Sequence, residues 1–170
     1  MIEKNRTNVR KSEKRGGEQM KYELIMLRNA LRMKKSAKIL TEEMKLIALR
    51  SYSTFNWRDG TMGQVEAIGR ISQQIENCNI FYNSVKKALL IIPKGYRALL
   101  VAVYFKNVDK QELASKYKVS LSTVYRKLLY ARESFLGALS SMGCSEEWFM
   151  INYGELDFVE RLPYHKHSKK

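Results

Sequence analysis

The chain of 170 residues has few of the residues that cross-link a small domain or interrupt its helices: it contains 2 cysteines, 2 prolines and 9 glycines. Cys78 and Cys144 lie far apart in the sequence, and neither belongs to a CxxC pair. We therefore expect two buried or neutral thiols rather than a disulfide, and a reducing compartment. Residues 1–19 are polar and basic and do not resemble a signal peptide, so the sequence predicts a cytoplasmic protein.

The sequence also lacks the motifs of common catalytic and metal-binding sites. It has no glycine-rich phosphate loop, no GxSxG turn and no carboxylate pair in a cleft-like context. Its two histidines, His165 and His167, flank Lys166, and only Cys144 lies near them, so no set of four zinc ligands is present. We therefore predict a protein that is not an enzyme, with no catalytic residue, no metal site and no cofactor.

No hydrophobic run is long enough to cross a membrane. The most apolar stretch, residues 88–105, is interrupted by Pro93, Gly95 and two basic residues, whereas a spanning helix needs about 20 predominantly apolar residues. The hydrophobic content of 45% is nevertheless ample for a core. No segment has the alternating pattern of a β-strand, so we predict an all-α protein without a membrane partner.

What the sequence has in excess is positive charge. The chain carries 31 Lys and Arg residues against 17 Asp and Glu, a net charge of +14. Residues 1–38 hold 12 basic and 4 acidic side chains and residues 92–137 hold 9 and 3, whereas residues 138–160 hold 5 acidic side chains and no basic one. Because neutralising phosphates releases counterions, this distribution favours a polyanionic partner, with a role in solubility as the plainer alternative.

Residues 1–19 are expected to form a flexible basic arm, and the helical part of the chain begins after them. A helical pattern covers about Met20 to Arg50, Ser51–Gly63 collects loop-forming residues, and a second helix follows. We expect an antiparallel helical hairpin over residues 20–91, used for dimerisation or docking, with an intermolecular coiled coil as the alternative. The stripe of the first helix is Met26, Ala30, Met33, Ala37, Leu40, Met44 and Ile47, widened by Leu24, Leu27 and Leu31, and that of the second is Ile68, Ile71, Ile75, Cys78, Tyr82, Val85, Leu89 and Ile92.

A Pro-Lys-Gly sequence ends the second helix, and residues 92–142 have the pattern of three shorter helices. The first is expected over Tyr96–Phe105 and the second over Lys110–Tyr117. The third is expected to follow Ser120 and to continue to about Ser141. Buried positions are expected at Leu99, Leu100, Val103, Tyr104, Leu113, Ala114, Tyr117, Val124, Leu128, Ala131, Phe135 and Leu139.

Residues 143–170 differ in character from the preceding helices. An acidic and aromatic segment is followed by a basic tail. The aromatic residues either pack on the core or form a segment that binds a partner, and we favour packing. They are Trp148, Phe149, Tyr153 and Phe158.

The segment Asp109–Arg132, DKQELASKYKVSLSTVYRKLLYAR, has the pattern of a helix-turn-helix, in which two short amphipathic helices meet at a tight turn. Ser120 is placed to cap the second helix, and Asp109, with Glu112 three residues later, to cap the first. Lys118 stands at the turn position where glycine is common, so we expect a left-handed conformation that costs about 1 kcal/mol. The start of the second helix then offers N–H groups and a dipole to a phosphate.

Residues 92–135 resemble region 4, the promoter-reading domain of bacterial sigma factors. The residues that carry the resemblance are Ile92-Pro93, Arg97, Tyr104-Phe105, Gln111-Glu112-Leu113-Ala114, Ser120-Leu121-Ser122-Thr123-Val124 and Ala131-Arg132. With the preceding hairpin, the chain is similar to small phage-encoded transcriptional regulators that have a region 4-like C-terminal half. The resemblance implies binding to double-stranded DNA, with RNA polymerase as a further candidate partner.

The resemblance also implies which residues contact DNA, with the helix at residues 121–130 in the major groove. Arg126 would read guanine, a contact worth about 1–3 kcal/mol of discrimination. Each charged residue has a solvated helix face as its alternative role, and Tyr130 is expected to pack at the edge of the core. The residues placed at base edges are Leu121, Ser122, Tyr125 and Arg126. Those placed at phosphates are Arg97, Lys116, Lys118, Ser120, Thr123 and Lys127.

The sequence thus predicts a sequence-specific DNA-binding regulator of transcription. Three alternatives stay open: a compact two-domain sigma factor that acts with RNA polymerase, the small subunit of a phage DNA-packaging terminase, and a module whose helix-turn-helix binds protein. The N-terminal half lacks an evident cluster of exposed aromatic and acidic residues for binding polymerase. The sigma factor therefore ranks below the regulator.

Overall fold

The computed structural model describes residues 21–53 and 60–156, which are helical apart from short connections. The predicted all-α fold is therefore confirmed for this part of the chain: a long helical hairpin precedes a group of shorter helices. The predicted basic arm, residues 1–19, and the histidines of the tail lie outside the described residues. The helices are α1 (Tyr22–Ser53), α2 (Gly60–Ile91), α3 (Lys94–Leu100), α4 (Lys110–Lys116), α5 (Leu121–Ser141) and α6 (Glu146–Tyr153), and a π-helical turn, Val101–Phe105, extends α3.

Both long helices extend further toward each other than the sequence predicts. The predicted loop Ser51–Gly63 loses its first three residues to α1 and its last four to α2. Serine and glycine cost no more than about 1 kcal/mol each in a helix, which a long helix tolerates near its end. The loop-forming residues therefore mark the ends of the two helices, and the predicted loop was too long.

Helices α1 and α2 pack against each other in antiparallel orientation. The Nζ of Lys34 lies 5.1 Å from the ring centroid of Tyr82, and Leu40, further along α1, lines the same cavity as Gln74, which is earlier in α2. The predicted hairpin is confirmed, and this pairing accounts for the seven-residue apolar repeat of α2. The buried members of the two stripes are Met26, Ala30, Met33, Ala37, Ile71, Cys78, Val85, Leu89 and Ile92.

The first turns of α1 are covered on more than one side, as the additional leucines predict. Leu24 and Leu27 are 6% and 1% exposed. Leu31 is 44% exposed, so its predicted burial is wrong. Because a helix turns about 100° per residue, Leu31 lies on the side of α1 opposite to the seam with α2.

An aromatic cluster joins α6 to the hairpin. Phe149 is fully buried, and its ring centroid lies 5.9 Å from that of Tyr22 and 6.3 Å from that of Phe81. Tyr153 meets Phe81 edge-on, with 5.0 Å between the centroids. The predicted packing of the C-terminal aromatic residues is therefore confirmed for Trp148, Phe149 and Tyr153, whereas Phe158 lies outside the described residues.

Two tyrosine hydroxyls reinforce this attachment. The hydroxyl of Tyr22 donates to the backbone carbonyl of Cys144 over 3.0 Å, and that of Tyr153 donates to the carbonyl of Asn77 over 3.1 Å. Burial raises the pKa of Tyr153 to about 12, so this hydroxyl keeps its proton at neutral pH. The segment from Cys144 to Tyr153 is therefore part of the same folded unit as the hairpin.

Glu23 is an acidic residue buried in a largely apolar core. It is 4% exposed, and its Oε2 has no hydrogen-bond partner among the described residues. Burial raises the pKa of this carboxyl; its own backbone N–H and Lys21 act against that shift, Glu146 adds to it, and Arg132 acts against it. The ionised form is therefore less favourable in the folded chain than in the unfolded one.

Replacing Glu23 with glutamine is expected to raise the free energy of unfolding at neutral pH. A carboxyl whose folded pKa is raised contributes its full stability below the unfolded pKa and loses it as the pH rises through the folded pKa. The advantage of Glu23→Gln over the wild type should therefore shrink as the pH falls from about 7 toward about 4. Urea denaturation across this range measures it, and Glu43→Gln, at an exposed position of α1, is the control. An advantage that does not vary with pH would contradict the assignment.

Candidate nucleic-acid interface

Helix α5 is held on the core by one side only. Val124, Leu128 and Ala131 are 3%, 1% and 0% exposed, which confirms the predicted inner face. Phe135 and Leu139 continue this face and are fully buried. The contacts with α2, α3 and α4 fix the rotation of α5 about its axis, and with it the residues that α5 presents to solvent.

The first of the three shorter helices differs from the predicted Tyr96–Phe105. It begins at Lys94 and changes to a π-helical turn, in which the N–H of Lys106 donates to the carbonyl of Val101 over 3.1 Å. Asn107, with a φ of 52°, then ends it in the left-handed region that asparagine tolerates. Of its predicted core positions Leu100 is fully buried, and Leu99, Val103 and Tyr104 are half-buried.

The turn between α4 and α5 has the predicted left-handed residue. Lys118 has a φ of 52°. Its N–H donates to the carbonyl of Ser115 over 3.2 Å, and the N–H of Val119 donates to that of Ala114 over 3.0 Å. These two hydrogen bonds form a Schellman motif, which satisfies carbonyls at the end of α4 and stabilises the strained residue.

Tyr117 is 57% exposed, so its predicted burial is wrong. Helix α4 ends at Lys116, and Tyr117 is its C-cap with a φ of −92° and a ψ of 2°, so the helical period no longer sets its direction. The other two predicted positions of α4 are Leu113, which is buried, and Ala114, which is half-buried. Tyr117 instead lines an open cavity of about 290 Å³ between α3 and α5, whose other walls include Tyr96, Leu99, Val124 and Lys127.

Ser120 caps α5 as predicted. Its Oγ accepts from the backbone N–H of Thr123 over 3.2 Å and lies 2.8 Å from the hydroxyl of Thr123 and 2.9 Å from that of Ser122. The cap defines the first residue of α5. The N–H of Thr123 is therefore already bound, and only its hydroxyl is left for the predicted phosphate contact.

The predicted capping box at α4 is wrong. Asp109 does occupy the N-cap position, but its carboxylate accepts no N–H from the described first turn of α4. The backbone carbonyl of Asp109 accepts the first helical hydrogen bond, from the N–H of Leu113 over 3.0 Å. Asp109 and Glu112 both lie at exposed positions.

The four residues predicted to read bases lie on one exposed side of α5. Leu121 is 36% and Tyr125 is 51% exposed, and Ser122 and Arg126 are also exposed. At about 100° per residue, the four span an arc of roughly 140° that borders the buried side at Leu121. Side chains with apolar, hydroxyl, aromatic and guanidinium groups are thus brought together over the first two turns.

Two exposed residues extend this surface beyond the prediction. Leu129 is 51% exposed and falls within the same arc. Tyr130 is 48% exposed, so its predicted packing at the core edge is at most partial. The apolar periodicity of α5 could have placed Leu129 outside the core, because it is one residue from Leu128 and hence off the buried stripe.

The cations predicted to contact phosphates fall into two groups. Lys116, Lys118 and Lys127 are exposed around the turn and the flank of α5. Arg97 is half-buried, and its Nε is buried without a hydrogen-bond partner among the described residues. The first group is accessible to solvent, whereas Arg97 is partly withdrawn from the surface.

Two contacts between helices could not be inferred from the sequence. The Nζ of Lys110, at the start of α4, lies 5.1 Å from the ring centroid of Tyr125. The Nε of Arg132 donates to the hydroxyl of Tyr104 over 2.8 Å and thereby links α5 to the π-helical turn. Lys110 adds a cation beside Tyr125, one of the residues predicted to read bases, and Arg132 restrains the middle of α5.

The described residues contain no group of three or more His, Cys, Asp or Glu side chains placed to hold a metal. Cys78 and Cys144 are buried free thiols, as predicted, and burial raises the pKa of Cys78. None of the helices in residues 21–53 and 60–156 combines the length and apolarity needed to cross a membrane.

Comparison of the chain with protein-family models, with curated proteins and with solved structures finds no match.

Proposed function

We propose that the protein is a sequence-specific DNA-binding regulator of transcription that inserts α5 into the major groove. The observation that carries the proposal is the exposed arc of Leu121, Ser122, Tyr125 and Arg126 on a capped helix whose other side is buried. A rigid helix that presents its N-terminal turns to solvent fits the width of the groove. The resemblance to sigma region 4 supports the same use of this helix.

Charge supports DNA as the partner. Residues 92–137, which include the whole helix-turn-helix, hold 9 basic and 3 acidic side chains. Lys116 and Lys118 are exposed at the turn before α5, and Lys127 is exposed on α5 about 100° round the helix from Arg126. These cations are proposed to contact phosphates and to fix the register of the reading helix. The acidic segment that follows has Glu146 and Glu147 in the first turn of α6.

Arg126 is proposed to read guanine, and Leu121 and Tyr125 to contact apolar edges such as the methyl group of thymine. Lys110 stacks on Tyr125 and is proposed to keep this ring in a position useful for base contact. The N-terminal arm is proposed to add affinity that does not depend on the DNA sequence. The hairpin is proposed to serve in dimerisation or in docking to RNA polymerase.

A protein-binding helix-turn-helix is the second candidate, and one observation favours it. Tyr117, Leu129 and Tyr130 expose about half of their surface near α5, and tyrosine is enriched at protein interfaces. Salt distinguishes the two functions, since binding to DNA weakens steeply as salt rises. Failure to bind any duplex even at low salt would favour the protein partner.

Removal of residues 1–19 is expected to weaken binding to selected and to random duplexes by the same factor. The segment holds 6 basic and 3 acidic residues and would contact phosphates, which carry no sequence information. The slope of log K against log salt should become shallower by about 0.9 for each phosphate that the arm no longer neutralises. Fluorescence anisotropy titrations at several salt concentrations measure both quantities. A change in the ratio of the two affinities would mean that the arm reads sequence.

A further inference from the structure

The outer side of α1 carries a second apolar stripe that the hairpin does not use. Leu31, Ile39, Leu46 and Leu49 are 44%, 57%, 57% and 64% exposed. They fall within an arc of roughly 80° on the side of α1 away from α2. No other element of the described chain buries them, since α1 contacts α2 with its opposite side.

Two charged residues complete the stripe. Lys35 and Glu42 are exposed and lie between the apolar positions. Glu42 already pairs with Lys45 on the same helix at 2.9 Å, but both side chains are more than half exposed, so this pair contributes little. The series Leu31, Lys35, Ile39, Glu42, Leu46, Leu49 alternates steps of three and four after its first step of four, which is the spacing of a helix–helix seam.

Two copies of this stripe are complementary when they run in opposite directions. If α1 of a second copy lies antiparallel with its Glu42 opposite Lys35, then its Leu46 is opposite Leu31, because both pairs are centred on the same point of the helix. Ile39 lies next to that centre and meets Ile39 of the second copy. A two-fold axis then forms each charged pair and each leucine pair twice.

We propose that the chain forms an antiparallel homodimer through the outer side of α1, over residues 31–46. The proposed partner is a second copy of the chain. The order of the stripe is leucine, lysine, isoleucine, glutamate, leucine. In the antiparallel arrangement each apolar residue therefore meets an apolar residue, and each charged residue meets one of opposite charge. The paired segment is about 22 Å long, and Leu49 lies beyond it. This inference stands independently of the DNA-binding proposal, since none of these residues belongs to α5.

Light scattering on the full chain tests the dimer. The wild type is expected at twice the 19.9 kDa of one chain. Leu46→Glu should shift the protein to monomer, because it places a carboxylate against leucine at two symmetric positions. Ile151→Glu is the matched control, since Ile151 is 76% exposed on α6, outside the stripe, and should leave the dimer intact. Circular dichroism verifies that both variants stay folded.

A charge swap tests the antiparallel register. Lys35→Glu and Glu42→Lys should each weaken the dimer about tenfold, because each turns two attractive pairs into repulsive ones. The double substitution Lys35→Glu with Glu42→Lys should restore the dimer to within a few-fold of the wild type. Sedimentation equilibrium measures the three dissociation constants.

The proposal would be overturned by a monomeric wild type, by a dimer indifferent to Leu46→Glu, or by a double variant as weak as the single ones. A larger ring-shaped oligomer would also overturn it. A dimer that passes these tests but binds no DNA supports this inference and refutes the proposed function, so the two failures are distinguishable.

Discussion

Replacing Phe149 with alanine is expected to lower the free energy of unfolding by about 3–5 kcal/mol. The side chain is fully buried against Tyr22 and Phe81, so its removal leaves a cavity and also reduces apolar burial. It also weakens the attachment of α6 to the hairpin, because Phe149 is the most buried aromatic residue of that helix. Urea denaturation followed by far-ultraviolet circular dichroism measures the change.

Ile151→Ala is the control for this prediction. Ile151 lies on the same helix and is 76% exposed, so the substitution should change stability by less than about 0.5 kcal/mol. Equal effects of the two substitutions would mean that α6 does not pack on the hairpin through Phe149, and that the aromatic cluster does not stabilise the protein.

Replacing Arg126 with alanine is expected to lower discrimination between a cognate and a random duplex by about 1–3 kcal/mol, roughly 5- to 150-fold in the ratio of dissociation constants. Arg126 is exposed within the exposed arc of α5. The N–H donors of its guanidinium match the two acceptors on the major-groove edge of guanine. Binding to random DNA should weaken much less, because there Arg126 is one cation among several. Stability should hardly change, since the side chain is exposed.

Lys87→Ala controls for the removal of one positive charge. Lys87 is exposed on α2, away from the helix-turn-helix sequence, so its replacement is expected to leave the ratio of the two affinities unchanged. If Arg126→Ala lowers both affinities equally, as the removal of a phosphate ligand would, the base-reading role of Arg126 is wrong.

The helices and most of the core could be predicted from the sequence because helical periodicity is a local property. The inner face of α5, with Val124, Leu128 and Ala131, follows from spacing alone, and the structure buries all three. The cap at Ser120 and the left-handed Lys118 also depend on neighbouring residues and were predicted correctly. The exposed arc of α5 is the complement of that inner face.

Burial that depends on distant elements could not be predicted in the same way. Phe81 lies outside the predicted heptad stripe of α2. It is nevertheless fully buried, because α6 covers a second side of that helix. Glu23 is buried by packing at the start of α1, and no local rule places a carboxylate there. Tyr117 was misplaced because α4 ends one residue earlier than its apolar pattern suggests.

What the exposed arc of α5 binds is a property of a partner molecule as well as of this chain. Neither helical periodicity nor packing therefore identifies it. The fold determines which side chains of α5 face solvent, and the proposed contacts with bases follow only if that surface meets DNA. Two cross-helix contacts, between Lys110 and Tyr125 and between Arg132 and Tyr104, fix this surface more firmly than its sequence indicated.

Selection of duplexes from random-sequence DNA by the full-length protein, at near-physiological salt, tests the central claim most directly. A major-groove reading helix predicts enrichment of a short common motif that includes a guanine, bound about a thousandfold or more tighter than unselected DNA. It also predicts that Arg126→Ala relaxes the requirement at that guanine. Recovery of duplexes without a common motif, bound no better than the starting pool, would contradict the assignment of α5 as a recognition helix.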